Sequence, residues 1–92
     1  MRNTKDVMAI LQEECAEVIQ AVSKINRFGM DTEWQGVTNK QHLIVEIGDF
    51  LAVLKILIQQ TDINISMEDL VTAMDAKDKK LEKYLPHMEN TQ

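Results

Sequence analysis

The chain has 92 residues, a formal charge of −5, 45% hydrophobic but only 4% aromatic residues, three glycines, one proline and one cysteine. So short a chain is one domain with a thin core of Ile, Leu, Val, Met and Ala, and the scarcity of turn formers argues against a β-sandwich and for an all-α fold. The acidic balance argues against a nucleic-acid binder, which needs clustered Lys and Arg; the apolar run at 43–58 carries three charges and falls short of the ~20 clean residues of a membrane span.

Asn3 or Thr4 can cap a first helix, with Asp6 early enough to favour its dipole and residues 1–3 left loose. Met8, Leu11, Cys15, Val18, Val22 and Ile25 recur at threes and fours, a helical stripe that ends near Phe28 and Gly29. A second row, Ile10, Glu14, Glu17 and Ala21, puts Glu14 and Glu17 on one face at the edge of the core, while Glu13 points further round. Cys15 has no disulfide partner and lies on the apolar stripe, so it is expected to be a small buried hydrophobe in a reducing compartment. No cationic start precedes an apolar stretch, so no secretory signal and a cytoplasmic location are expected.

Residues 29–37 hold two of the three glycines and the one tryptophan, and read as a loop with one short helical turn. Thr38 and Gln41 form a capping box for a second helix running to about Gln60. That helix is apolar all round, which calls for neighbours on several sides. One row on it reads His42, Glu46, Asp49, Val53, Ile56, with Gly48 alongside suggesting close approach of a helix or ligand. Ser66 and Asp69 start a third helix, whose stripe of Met67, Leu70, Val71, Met74, Leu81, Tyr84 and Leu85 is broken at Lys77 and Asp78 and stopped by Pro86. Residues 87–92 form a loose tail. Three helices cannot bury the second one within 92 residues, so a homo-oligomer, dimer or tetramer, is expected to complete a helical bundle.

Antiparallel packing of the first two helices lets Glu14 and Glu17 face Glu46 and Asp49. Isolated carboxylates in an apolar setting cost several kcal/mol, so such acids are expected to be paired, protonated or bound to metal. Four converging carboxylates repel one another and require cations near neutral pH, and an oxygen-only donor set favours Mg²⁺ or Mn²⁺ over Zn²⁺. A helical ExxE is commonly only a solvated acidic face; the ExxD inside an apolar helix is what favours a metal. A di-iron bundle would use Glu-x-x-His pairs, which these clusters lack. His42 reads as a hydrogen-bond partner of Glu46 or a surface residue, and His87 falls in the tail.

Glu13-Glu14-Cys15-Ala16-Glu17 followed, after 28 residues, by Glu46-Ile47-Gly48-Asp49 resembles the EExxE and ExxD motifs of the MazG-like, all-α nucleoside triphosphate pyrophosphohydrolases. The resemblance covers roughly residues 6–85, and the interval lies at the long end for that family. It implies a Mg²⁺-dependent house-cleaning hydrolase, a dimer or tetramer, that cleaves between the α- and β-phosphates of a noncanonical or deoxy nucleoside triphosphate to give the monophosphate and pyrophosphate. It further implies that Glu14, Glu17, Glu46 and Asp49 bind the metal, and that Glu13 holds a second ion or orients the attacking water. Where relatives carry Asn, Lys and Arg on the third helix to contact phosphates, this chain has Asp78, Lys80 and Lys83. Lys80 matches, Lys83 keeps charge without the guanidinium fork, and Asp78 departs from the pattern.

Lys24 and Arg27 either meet a phosphate tail or complement the first helix's dipole. Trp34 either stacks on a base or, the reading preferred here, closes an oligomer interface. Two rival functions stand beside catalysis: a non-catalytic acidic module for oligomerisation or partner binding, and a nucleotide sensor that binds Mg²⁺ without turnover.

Overall fold

A computed structural model describes residues 1–85; the expected stop at Pro86, the tail histidine His87 and the loose segment 87–92 lie outside the described residues. Three α-helices and a two-stranded ribbon follow in the order α1 (Thr4–Phe28), β1 (Glu33–Trp34), β2 (Val37–Thr38), α2 (Asn39–Gln60) and α3 (Met67–Tyr84). All three helix starts are capped as their sequences direct: the side chains of Asn3, Thr38 and Ser66 accept from the backbone N–H groups of Asp6, Gln41 and Asp69, and Gln41 returns the bond to complete the capping box. No helix is long and apolar enough to cross a membrane among the described residues.

The packed unit is the antiparallel hairpin of α1 and α2. Its open end is stapled where Arg2 donates from its backbone N–H to the Gln60 carbonyl at 2.7 Å and from Nε to Gln60 Oε1, and where the Thr4 hydroxyl donates to Asp62. The chain is thus tied down from Arg2 onward. On α1 the buried or half-buried positions are Thr4, Val7, Leu11, Glu14, Val18, Ala21 and Ile25. Alternating steps of three and four are the spacing of a helix–helix seam. Leu11, Val18 and Ile25 belong to the expected stripe, but Met8, Cys15 and Val22 are exposed on its flank. Cys15 is therefore not a core residue of this chain: it follows Glu14, which takes the inward place itself.

The predicted helical turn between α1 and α2 is instead a β-hairpin. Gln35 and Gly36 both have positive φ, 53° and 80°, and the register pairs Trp34 with Val37 and Glu33 with Thr38. Two consecutive left-handed residues make the two-residue turn whose twist suits antiparallel strands. Loop carbonyls of Met30 and Thr32 accept from the otherwise unpaired N–H groups of Lys40 and Asn39 at 3.0 Å, which seats the loop on the start of α2.

Only one face of α2 is covered. Ile44 (61% exposed), Val45, Ile47 and Leu51 face away from α1, and a Cβ built on Gly48 meets nothing within 4 Å. The close approach expected at Gly48 is thus not made within the chain. No packed interface joins α3 to α1 or α2; α3 has no buried residue, and Leu70 and Leu81 are its only half-buried ones. The radius of gyration is 16.6 Å, against about 12 Å for a compact domain of this length.

Candidate metal centre

α1 and α2 each carry a glutamate on the inward row: Glu14 between Leu11 and Val18, Glu46 between Leu43 and Phe50. Crossing of the two rows brings them together, and Asp49, one turn on from Glu46, joins from the exposed flank of α2. One ligand oxygen from each of Glu14, Glu46 and Asp49 lies within 4.8 Å of the others. Oxygens on one octahedral Mg²⁺ stand about 3 Å apart when adjacent and about 4 Å apart when opposite. The three carboxylates must therefore draw together by up to about 2 Å to share an ion, and as oxygen donors they fit Mg²⁺ or Mn²⁺.

The electrostatics agree with that fit. The Glu14 carboxyl is pushed above its ordinary pKa, first by partial removal from water and then by the negative charges of Asp49, Glu46, Glu17 and Glu13. A carboxyl whose ionised form is disfavoured by neighbouring like charges is relieved when a cation enters. The burial is milder than the sequence suggests: Glu14 and Glu46 are half-buried and Asp49 is exposed, so the single chain does not seal these charges in an apolar interior. The apolar residues flanking them, Ile44, Val45, Ile47 and Leu51, are exposed in this chain, so the acids lie at the edge of the helix pair rather than inside a core.

His42 Nε2 lies 3.2 Å from Glu46 Oε1, the proximity their one-turn spacing predicts and the one approach of a basic to an acidic side chain within 4 Å among the described residues. Glu17 and Glu13 are exposed and stand outside the three-carboxylate group, although both act on Glu14 through their charge. Lys24 Nζ sits 5.5 Å from the centroid of the Trp34 ring, and the Arg27 guanidinium 4.9 Å from that of Phe28, so both cations turn to aromatic faces rather than to the acids. Asp78, Lys80 and Lys83 are exposed on α3 and make no ion pair with the cluster in this chain.

Beside the cluster lies a cleft of about 270 Å³ lined by Lys24, Trp34, Gln35, Val37, Asn39 and His42. Asn39 is buried and donates from Nδ2 to the Gly29 carbonyl at 2.9 Å, joining α2 to the end of α1. The roles of Gln35, Val37 and Asn39 were not foreseen from the sequence; the signal for them was the Gln-Gly pair between two short strand-forming pairs, which marks a hairpin.

Compared with protein-family models, residues 2–88 match the MazG nucleotide pyrophosphohydrolase domain. No curated protein and no solved structure matches the chain.

Proposed function

The chain belongs to the MazG nucleotide pyrophosphohydrolase family, and from that premise we propose that it hydrolyses a noncanonical or deoxy nucleoside triphosphate, in a Mg²⁺-dependent reaction, to the monophosphate and pyrophosphate. The observation that carries this reading is the convergence of Glu14, Glu46 and Asp49 from two helices onto one point. A solvated acidic face would spread its charges; here the fold gathers them, at the expense of a perturbed Glu14.

Glu14, Glu46 and Asp49 would hold the metal, with Glu17, one turn further along α1, as a fourth ligand. Once bound, the ion supplies neutralisation of phosphate charge and a lowered pKa for a water in its shell. Glu13, exposed at the head of the motif, orients the attacking water and accepts its proton. His42 holds Glu46 in place through Nε2 and so fixes the angle at which that carboxylate meets the site. Attack on the α-phosphorus breaks the α–β phosphoanhydride, and pyrophosphate leaves carrying charge that Lys80, Lys83, Lys24 and Arg27 offset. Asp78 stands beside these lysines as an additional acid.

Lys80 and Lys83 reach the carboxylates only if α3 packs on an α1–α2 hairpin, which it does not do within one chain. The exposed apolar face of α2 and the unpacked α3 therefore support a homo-oligomer in which helices of two protomers complete the bundle. The accessible surface of 7952 Å² exceeds by roughly 2500 Å² that of a compact monomer of this mass, an excess of the size obligate interfaces bury.

Melting with and without millimolar Mg²⁺, beside pyrophosphate release, tests the reading. A cation that binds only the folded state raises the midpoint, and Glu46→Gln and Asp49→Asn are expected to lose both that rise and turnover while keeping helical content. Undiminished Mg²⁺-dependent release by both variants would sink the assignment.

A further inference from the structure

The cleft beside the carboxylates has a lining unlike theirs: one large aromatic, one apolar side chain, two amides, an imidazole and a lysine, with no acid among them. We propose that it is the base subsite of the nucleotide, with Trp34 as the stacking platform and Gln35 and Asn39 as the groups that read the base edge. This rests on the function proposed above and adds to it where the base lies and which residues choose it.

Position is the first argument. His42 belongs to both places, lining the cleft while its Nε2 touches Glu46 of the carboxylate group. On α2 the two residues are one turn apart, about 5.4 Å along the axis. A nucleotide needs a comparable spacer, since one sugar separates its α-phosphate from its base. A triphosphate drawn to the cluster therefore delivers its base toward Trp34.

Chemistry is the second. Trp34 is 68% exposed, yet it is not free to wander, because the Gln35–Gly36 turn and the pairing with Val37 fix its strand. Its ring attracts the Lys24 ammonium, but a contact between a solvated lysine and an exposed ring is weaker than stacking of a nucleobase on the same kind of face. A base that takes that face releases Lys24, whose charge is then available to a phosphate oxygen. The Asn39 amide is oriented by its bond to the Gly29 carbonyl, which leaves its oxygen and a second N–H for hydrogen bonding. Gln35, at the tip of the turn, offers the same donor and acceptor pair. A pre-oriented amide rejects a base with the wrong edge more strongly than an apolar wall can.

Trp34 is the only tryptophan, so its emission reports the cleft directly. The protein is titrated in EDTA with each common nucleoside 5′-monophosphate and, as a base-free control, with ribose 5-phosphate. Quenching by at least one monophosphate and none by ribose 5-phosphate is expected. In turnover assays, Trp34→Ala raises KM roughly 5- to 150-fold, the loss of one base–aromatic stack, with kcat little changed; Trp34→Phe retains most of the affinity, and Gln35→Ala narrows the preference among bases. The proposal is overturned if no monophosphate changes the emission and Trp34→Ala leaves KM unaltered while Mg²⁺-dependent pyrophosphate release persists. Absence of that release in the unaltered protein overturns the underlying function as well, so the two failures are told apart.

Discussion

Asn39→Ala tests how the loop between the two site-bearing helices is held. Asn39 is buried, and its Nδ2 donates to the Gly29 carbonyl at 2.9 Å across the junction of α1 and α2. Truncation removes the donor and leaves that carbonyl without its partner; a part-buried group stranded in this way costs about 1–2 kcal/mol. For a domain of this size that is a fall in melting midpoint of roughly 4–16 °C. The backbone bonds of Asn39 and Lys40 to Thr32 and Met30 remain, so the helices should survive while the β-hairpin loosens. Far-UV circular dichroism at matched protein concentration measures the midpoint, and Trp34 anisotropy measures the hairpin. Thr38→Ala, which removes an N-cap at about 1 kcal/mol, is the control for damage to the start of α2. An Asn39→Ala midpoint within a degree of the unaltered protein, with Trp34 anisotropy unchanged, would refute the reasoning.

Three further outcomes are expected. The raised Glu14 carboxyl disfavours the folded state once ionised, so its penalty is absent at pH low enough to protonate it in both states, builds as pH rises past the unfolded-state pKa and is complete above the folded-state pKa; metal-free protein should lose melting temperature over that rise, and Glu14→Gln should flatten the slope, whereas an identical slope in both would contradict the assigned cause. Ile44→Asp puts a charge on the uncovered face of α2 and should lower the mass seen by sedimentation velocity, together with activity; an unaltered mass would locate the contact elsewhere. Lys80→Ala should reduce kcat/KM at least tenfold with the Mg²⁺-induced rise in midpoint intact, since a phosphate contact is lost and the carboxylates are not.

The helices and their caps were legible because they depend on local rules. Asn3, Thr38 with Gln41, and Ser66 each act within one turn of sequence, and each makes the predicted bond. Glu14, Glu46 and Asp49 were legible too, as acids interrupting apolar rows. The inward edge of α1 was harder to read. Met8, Cys15 and Val22 are as apolar as Val7 and Ala21, so periodicity alone cannot say which of two adjacent rows faces α2, and the fold chooses the row that carries Glu14. The β-hairpin was missed because Glu33-Trp34 and Val37-Thr38 are too short to show alternation, and its turn uses Gln35 in a left-handed conformation more often given to Asn or Gly. Burial of α2 was overestimated for a different reason: apolar residues on several of its faces suggest cover on all of them, whereas the chain covers only the face toward α1.

The most direct test of the central claim is product analysis with a nucleoside triphosphate panel and Mg²⁺. The account predicts equal amounts of nucleoside monophosphate and pyrophosphate from at least one noncanonical or deoxy triphosphate, and none from Glu46→Gln or Asp49→Asn. Nucleoside diphosphate with inorganic phosphate, or no cleavage of any triphosphate by a protein whose melting midpoint Mg²⁺ leaves unmoved, would contradict it.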